Sequence, residues 1–187
     1  MLAPLINISL FREFIEGDRL ILTPNHRLAA KITDAWAIAN RDDRRVWQAP
    51  RVFSIDHWLR FCWDELQDQN HDLVAGLGIV GQQQSRYYWE RAIKLNHPEL
   101  SSKYAKLADD TLSRLQQWNL AYPDVPSDSP AADYFKQWAQ SFDGLLHRNN
   151  LVTTAQSWHS IARGFEAGAL PIEDEIVLYG FQSIPPL

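Results

Sequence analysis

Apolar positions along this chain recur at two spacings. Between residues 26 and 40 they fall at Leu28, Ile32, Ala35 and Trp36, three or four apart, which puts them on one face of a helix. The same spacing predicts helices over about 54–69 (Ile55, Trp58, Leu59, Cys62, Leu66) and 82–95 (Tyr88, Trp89, Ala92, Ile93). It predicts others over about 131–147 (Phe135, Trp138, Phe142, Leu145, Leu146) and 154–166 (Ala155, Trp158, Ile161, Ala162, Phe165). The clearest stripe, over about 101–120, runs Tyr104, Leu107, Ala108, Thr111, Leu112, Leu115, Trp118. A weaker one (Leu10, Phe14, Ile15) ends at Gly17, a residue suited to closing a helix. Three short apolar runs break the helical period and read as strands: 20–23, 51–53 and 176–179.

The first of these strands organises the rest. Leu20, Ile21, Leu22 and Thr23 stop at Pro24, which has no N–H to give a sheet ladder. Asn25 follows as a good N-cap, because its side chain accepts an orphan N–H of the next turn. Strand, tight turn and helix open a βα unit whose turn lies at the carboxyl edge of a parallel sheet, where α/β folds bind ligands. The run 176–179, with acids before it and Gly180 and prolines after, reads as a buried parallel strand. Since such a strand needs neighbours on both sides, the chain is expected to be a piece of a longer protein.

Composition narrows the class. At 45% hydrophobic, 187 residues suffice for a substantial core, and eight tryptophans make much of it aromatic. No run of eighteen apolar residues suggests a membrane span, and residues 1–10 lack the basic start and cleavage site of a signal peptide. The single cysteine, Cys62, fits a reducing cytoplasm and reads as an inert buried thiol. Net charge is −5, which argues against a surface that grips nucleic acid throughout. The charge is uneven, however: residues 19–60 hold eight basic residues (Arg19, Arg27, Lys31, Arg41, Arg44, Arg45, Arg51, Arg60) against four acidic ones.

Most recognisable chemistries are missing. The stretch Gly76-Leu77-Gly78-Ile79-Val80-Gly81 spells the dinucleotide fingerprint, yet it lacks a proper strand before it and an acid ending a second strand; a flexible loop explains it better. No glycine is followed by lysine, so there is no phosphate-binding loop for ATP, and no acid stands two residues before a lysine, as in magnesium nucleases. The six histidines show no HxxxH or HxH pairing, so no metal or other cofactor is expected. The strand 176–179 runs into Tyr179 where a nucleotide-binding sheet would carry a metal-holding acid. Trp58, Trp89, Trp118, Trp138 and Trp158 sit on apolar helix faces and are assigned to the core, leaving Trp47 as the best candidate for an exposed, base-stacking ring.

Five segments in order carry a resemblance: LTPNHRLAAKI (22–32), APRVFSIDHWL (49–59), the helix from Gln82 to Trp89, LSRLQQWNL (112–120) and VLYGFQSIPP (177–186). Together they resemble the amino-terminal region of the AddB-like branch of RecBCD/AddAB-type helicase–nucleases, a RecB-family exonuclease. The resemblance implies an α/β fold: a short parallel sheet of about three strands from an inactivated superfamily 1 helicase-like, P-loop NTPase-like domain, with a large helical insertion. Residues 1–60 and 170–187 would form the α/β core and 61–169 the insertion, with a nuclease domain downstream. Tyr179 replaces the family's acid, so motor activity does not carry over. The implied role is DNA end processing in recombinational repair, beside a partner helicase subunit, with single-stranded DNA or duplex ends as ligand. The residues expected at DNA are Thr23, Asn25, His26, Arg27, Lys31, Arg44, Arg45 and Trp47, since a helix N-terminus and guanidinium groups both meet phosphate. Two other readings stay open: a helical protein-interaction module that does not bind DNA, and a nucleotide-dependent enzyme using the 76–81 loop.

Overall fold

A computed structural model of the chain describes residues 6–41, 48–100, 103–124 and 126–183. Its elements in chain order are α1 (Arg12–Glu16), β1 (Leu20–Thr23), α2 (His26–Ala39), β2 (Val52–Ser54), α3 (Ile55–Asp68) and β3 (Gly78–Ile79). There follow α4 (Gln82–Asn96), α5 (Tyr104–Gln117), α6 (Pro130–Arg148), β4 (Leu151–Val152), α7 (Thr154–Glu166) and β5 (Ile176–Leu178). The fold is α/β with a short three-stranded parallel sheet, ordered β2-β1-β5. Among the described residues no helix is long and apolar enough to cross a membrane. The chain divides into two compact units, Met1–Glu65 with Ala167–Ile184, and Leu66–Glu166; the expected limits were 60/61 and 169/170.

In the first unit β1 is central and all four of its side chains are buried. Ile21 lies level with Val52 and Val177, and this row packs against Ile32 and Trp36 of α2 and Phe11 and Ile15 of the amino-terminal segment. β5 was expected to be buried. It is an edge strand instead, with Leu178 51% and Ile176 39% exposed. At the amino ends of the strands, Arg51 makes a bidentate pair with Glu173, one bond being 2.9 Å, and Arg19 meets Glu175 at 3.3 Å. That pairing raises the Arg51 guanidinium above its ordinary value, chiefly through the hydrogen bond to Glu173. Glu173 and Glu175 before β5 are thus partnered by bases from the segment that carries the positive excess. Cys62 is buried, and desolvation, with the charges of Glu173 and Glu65 adding to it, pushes its thiol up to about 11. It stays protonated at neutral pH and is a poor nucleophile.

The second unit is mainly helical. Trp89 of α4 is fully buried and stacks on Phe142 of α6, ring centres 4.2 Å apart and planes within 9°. Its indole N–H donates to Asp109 of α5, which also accepts from the Ser85 hydroxyl. Trp138 donates in turn to His97 Nδ1 at 2.9 Å. Two departures from expectation stand out. The fingerprint-like glycine stretch is not a plain loop: Gly78 and Ile79 form β3, paired in parallel with Leu151 and Val152 of β4. The stripe on α5 does not all face inward. Ala105, Ala108 and Leu112 are buried, whereas Leu107 and Trp118 lie 63% and 55% exposed. Leu107 is two positions from Ala105 and so roughly 160° round the helix from it, on the side away from the buried face.

Asp143 of α6 takes a hydrogen bond from the Tyr122 hydroxyl, while its Oδ1 is buried with no partner. Desolvation raises its carboxyl above the usual range and outweighs the opposing effect of Tyr122. The folded state therefore holds the proton more tightly than the unfolded chain, so this group's favourable contribution is complete in acid and fades as pH rises through the folded value. Asp143→Asn keeps an acceptor for Tyr122 and removes the charge. It should stabilise the protein by roughly 1 kcal/mol at neutral pH, with the gain shrinking toward pH 4. Melting curves of both proteins across that range check this; a gain that grows in acid would contradict it.

Candidate nucleic-acid interface

Two strand-to-helix junctions lie side by side at the carboxyl edge of the larger sheet, because Thr23 and Ser54 are in register at the ends of β1 and β2. At the first, Asn25 is extended and its side-chain oxygen accepts the Leu28 N–H at 3.0 Å, starting α2. At the second, Ser54 Oγ accepts the His57 N–H at 3.3 Å, starting α3. Both helices are fourteen residues long, so each presents a full set of orphan N–H groups and the positive end of its dipole at this edge. They differ in one respect. The first turn of α2 has no acid, while that of α3 carries Asp56, which opposes an anion there.

The expected residues divide by position. Thr23 is fully buried, and its hydroxyl lies within donating distance of the carbonyl oxygens of Asn25 (3.0 Å) and Phe53 (3.2 Å). It ties the two junctions together from beneath and offers no surface to a ligand. Asn25, His26, Arg27 and Lys31 are exposed. Arg27 and Lys31, four apart on α2, are neighbours on one face, and neither has an ion-pair partner among the described residues. Arg44, Arg45 and Trp47 lie outside the described residues. Of the other bases in the positive segment, Arg19 and Arg51 are engaged at the opposite edge, and Arg60 pairs with Asp64 at 3.2 Å. The local excess of charge is thus narrower than the count over 19–60 suggests.

No family model, curated protein or solved structure matches the chain.

One feature of the edge escaped the sequence pattern. Phe53 and His57 stack with ring centres 5.6 Å apart and planes within 19°, both exposed, beside the Ser54 cap. The sequence offers only a partial signal, an aromatic next to the last residue of β2 and a histidine in the first turn after the cap; whether their rings meet depends on how α3 leaves the sheet. Tyr179 closes the edge at β5. Its N–H donates to the Leu22 carbonyl at 2.9 Å, and its ring meets Phe11 edge-on at 4.7 Å. Gly180, at φ +81°, then passes against Leu28 and Pro24, where an added Cβ would come within 2.5 Å of Leu28 Cδ2. The edge therefore combines a helix N-terminus, two exposed cations one turn apart without ion-pair partners among the described residues, and an aromatic pair. These groups suit phosphate and a flat ring. Among the described residues, no group of three or more His, Cys, Asp or Glu side chains is arranged to hold a metal ion.

Proposed function

We propose that this chain is the helicase-like, non-catalytic part of a DNA repair exonuclease. It acts in DNA end processing and recombinational repair, in the cytoplasm, as a scaffold and DNA-contacting surface, with hydrolysis carried by a nuclease domain elsewhere in the parent protein. The observation that carries the reading is the start of α2. Arg27 and Lys31 stand without ion-pair partners among the described residues, beside a helix N-terminus whose first turn holds no acid. Tyr179 at the end of β5, together with a sequence that has no phosphate-binding loop, supports a sheet that keeps the form of a motor without gripping a nucleotide.

The test is binding to single-stranded and forked DNA across a salt series. Each phosphate contact contributes about 0.7 to the log–log salt slope on single strands, so Arg27→Ala/Lys31→Ala should flatten the slope by about 1.4 and weaken binding to all sequences alike. Equal affinity and slope for both proteins would remove the site. A second reading, the helical protein-interaction module, is supported by the exposed apolar row on α5. A protein partner retained in the absence of any DNA binding would favour it.

A further inference from the structure

The outer face of α5 carries large apolar side chains that remain exposed among the described residues. Leu107 and Trp118 are 63% and 55% exposed, and Leu120 just beyond the helix is 56% exposed. With Thr111, Arg114 and Leu115 they line a groove of about 370 Å³. The helix already has its core-facing side in Ala105, Ala108 and Leu112. Its apolar arc is therefore wider than the roughly 100° that one buried face needs, and the surplus is aimed at solvent. Exposed large apolar side chains rimmed by polar ones, as around this groove, are the composition of interaction surfaces.

The order of residues along the face says what fits it. Leu107, Thr111, Arg114 and Trp118 follow each other at spacings of four, three and four, the rhythm of a helix–helix seam. Laid antiparallel on itself about a two-fold axis between Thr111 and Arg114, the face sets Leu107 opposite the second copy's Trp118, and Trp118 opposite its Leu107. Arg114 then stands level with the second copy's Thr111, one residue from its Asp110. Arg114 has no ion-pair partner among the described residues, while Asp110 has only Lys106 of its own helix, at 2.8 Å. The pattern is self-complementary in charge as well as in apolar shape, as an isologous interface requires. We infer that a second copy of this chain docks antiparallel on the outer face of α5, anchored by Leu107 and Trp118 and oriented by reciprocal Asp110–Arg114 pairs. The inference holds whether or not the carboxyl edge of the larger sheet binds DNA.

Sedimentation velocity of the full chain tests it over about 1–100 μM, a range in which a micromolar dimer passes from mostly apart to mostly joined. The wild type should move from monomer toward dimer mass. Leu107→Glu and Trp118→Glu should each weaken the dimer by at least about tenfold. All these positions are exposed, so circular dichroism should report unchanged helix content. Asp110→Arg should weaken association likewise, and Asp110→Arg/Arg114→Asp should restore it to within about threefold of wild type. A wild type that stays monomeric throughout, a dimer indifferent to Leu107 and Trp118, or a double swap that fails to restore association would each overturn the proposal.

Discussion

Trp89→Ala is expected to lower the unfolding free energy by about 3–5 kcal/mol, a large part of the roughly 5–15 kcal/mol typical of a domain. The indole is fully buried and stacked against Phe135 and Phe142, so its removal opens a large void and ends both ring contacts. A polar cost adds to the cavity. Asp109 loses the indole N–H and keeps only the Ser85 hydroxyl. Urea titration followed by circular dichroism measures the change. Trp118→Ala is the comparison: its side chain is 55% exposed, so at concentrations too low for association it should cost about 1–2 kcal/mol at most. If the two substitutions cost the same, the assignment of these tryptophans to inside and outside is wrong.

Ile21→Ala should cost about 2–4 kcal/mol. Ile21 lies at the middle of the central strand, level with Val52 on one side and Val177 on the other, under α2. Removing its branched side chain undercuts both strand pairings and the seating of α2 together. Ile176→Ala, on the half-exposed edge strand, should cost about 1 kcal/mol or less, because there is little burial to lose. Denaturant titration of the pair gives the comparison. Under the proposed function, DNA retention by Ile21→Ala should fall in step with its folded fraction, whereas Arg27→Ala/Lys31→Ala should bind more weakly while remaining folded.

How much of this was legible in the sequence depended on how local the deciding force is. The β1–α2 junction was readable because Pro24 and Asn25 act within two residues of each other: a missing donor ends the strand and a side-chain acceptor starts the helix. The helices were readable because their apolar period persists for three or four turns. β3 and β4 were not, since strands of two residues have no period, and their pairing joins Gly78 to Leu151 across three helices. The burial of β5 was misjudged for a related reason. An apolar run shows what a strand prefers to pack against, and not whether neighbours stand on both sides. The stripe on α5 was overread because two apolar arcs, one inward and one outward, merge into a single pattern along the sequence. At the edge of the larger sheet the exposed residues of α2 followed from its period, but the burial of Thr23 depended on the Phe53 carbonyl of the next strand. The Phe53–His57 stack depended on the exit angle of α3. Both are properties of the assembled sheet.

The adjacency of β1 and β5 bears on how the protein is made. As the polypeptide leaves the ribosome, β1 and β2 emerge well before β5, the strand that covers the other side of β1. Until then the middle strand shows a bare ladder and an oily flank to other nascent chains, the arrangement most prone to edge-to-edge association. The helices of residues 66–166 pack on one another as a compact unit and can condense before β5 emerges, which shortens the loop that β5 must close; each halving of a flexible loop saves about 0.6 kcal/mol of closure entropy. β5 works as a stopper, and messages cut short before Ile176 should yield aggregates rather than a smaller stable protein.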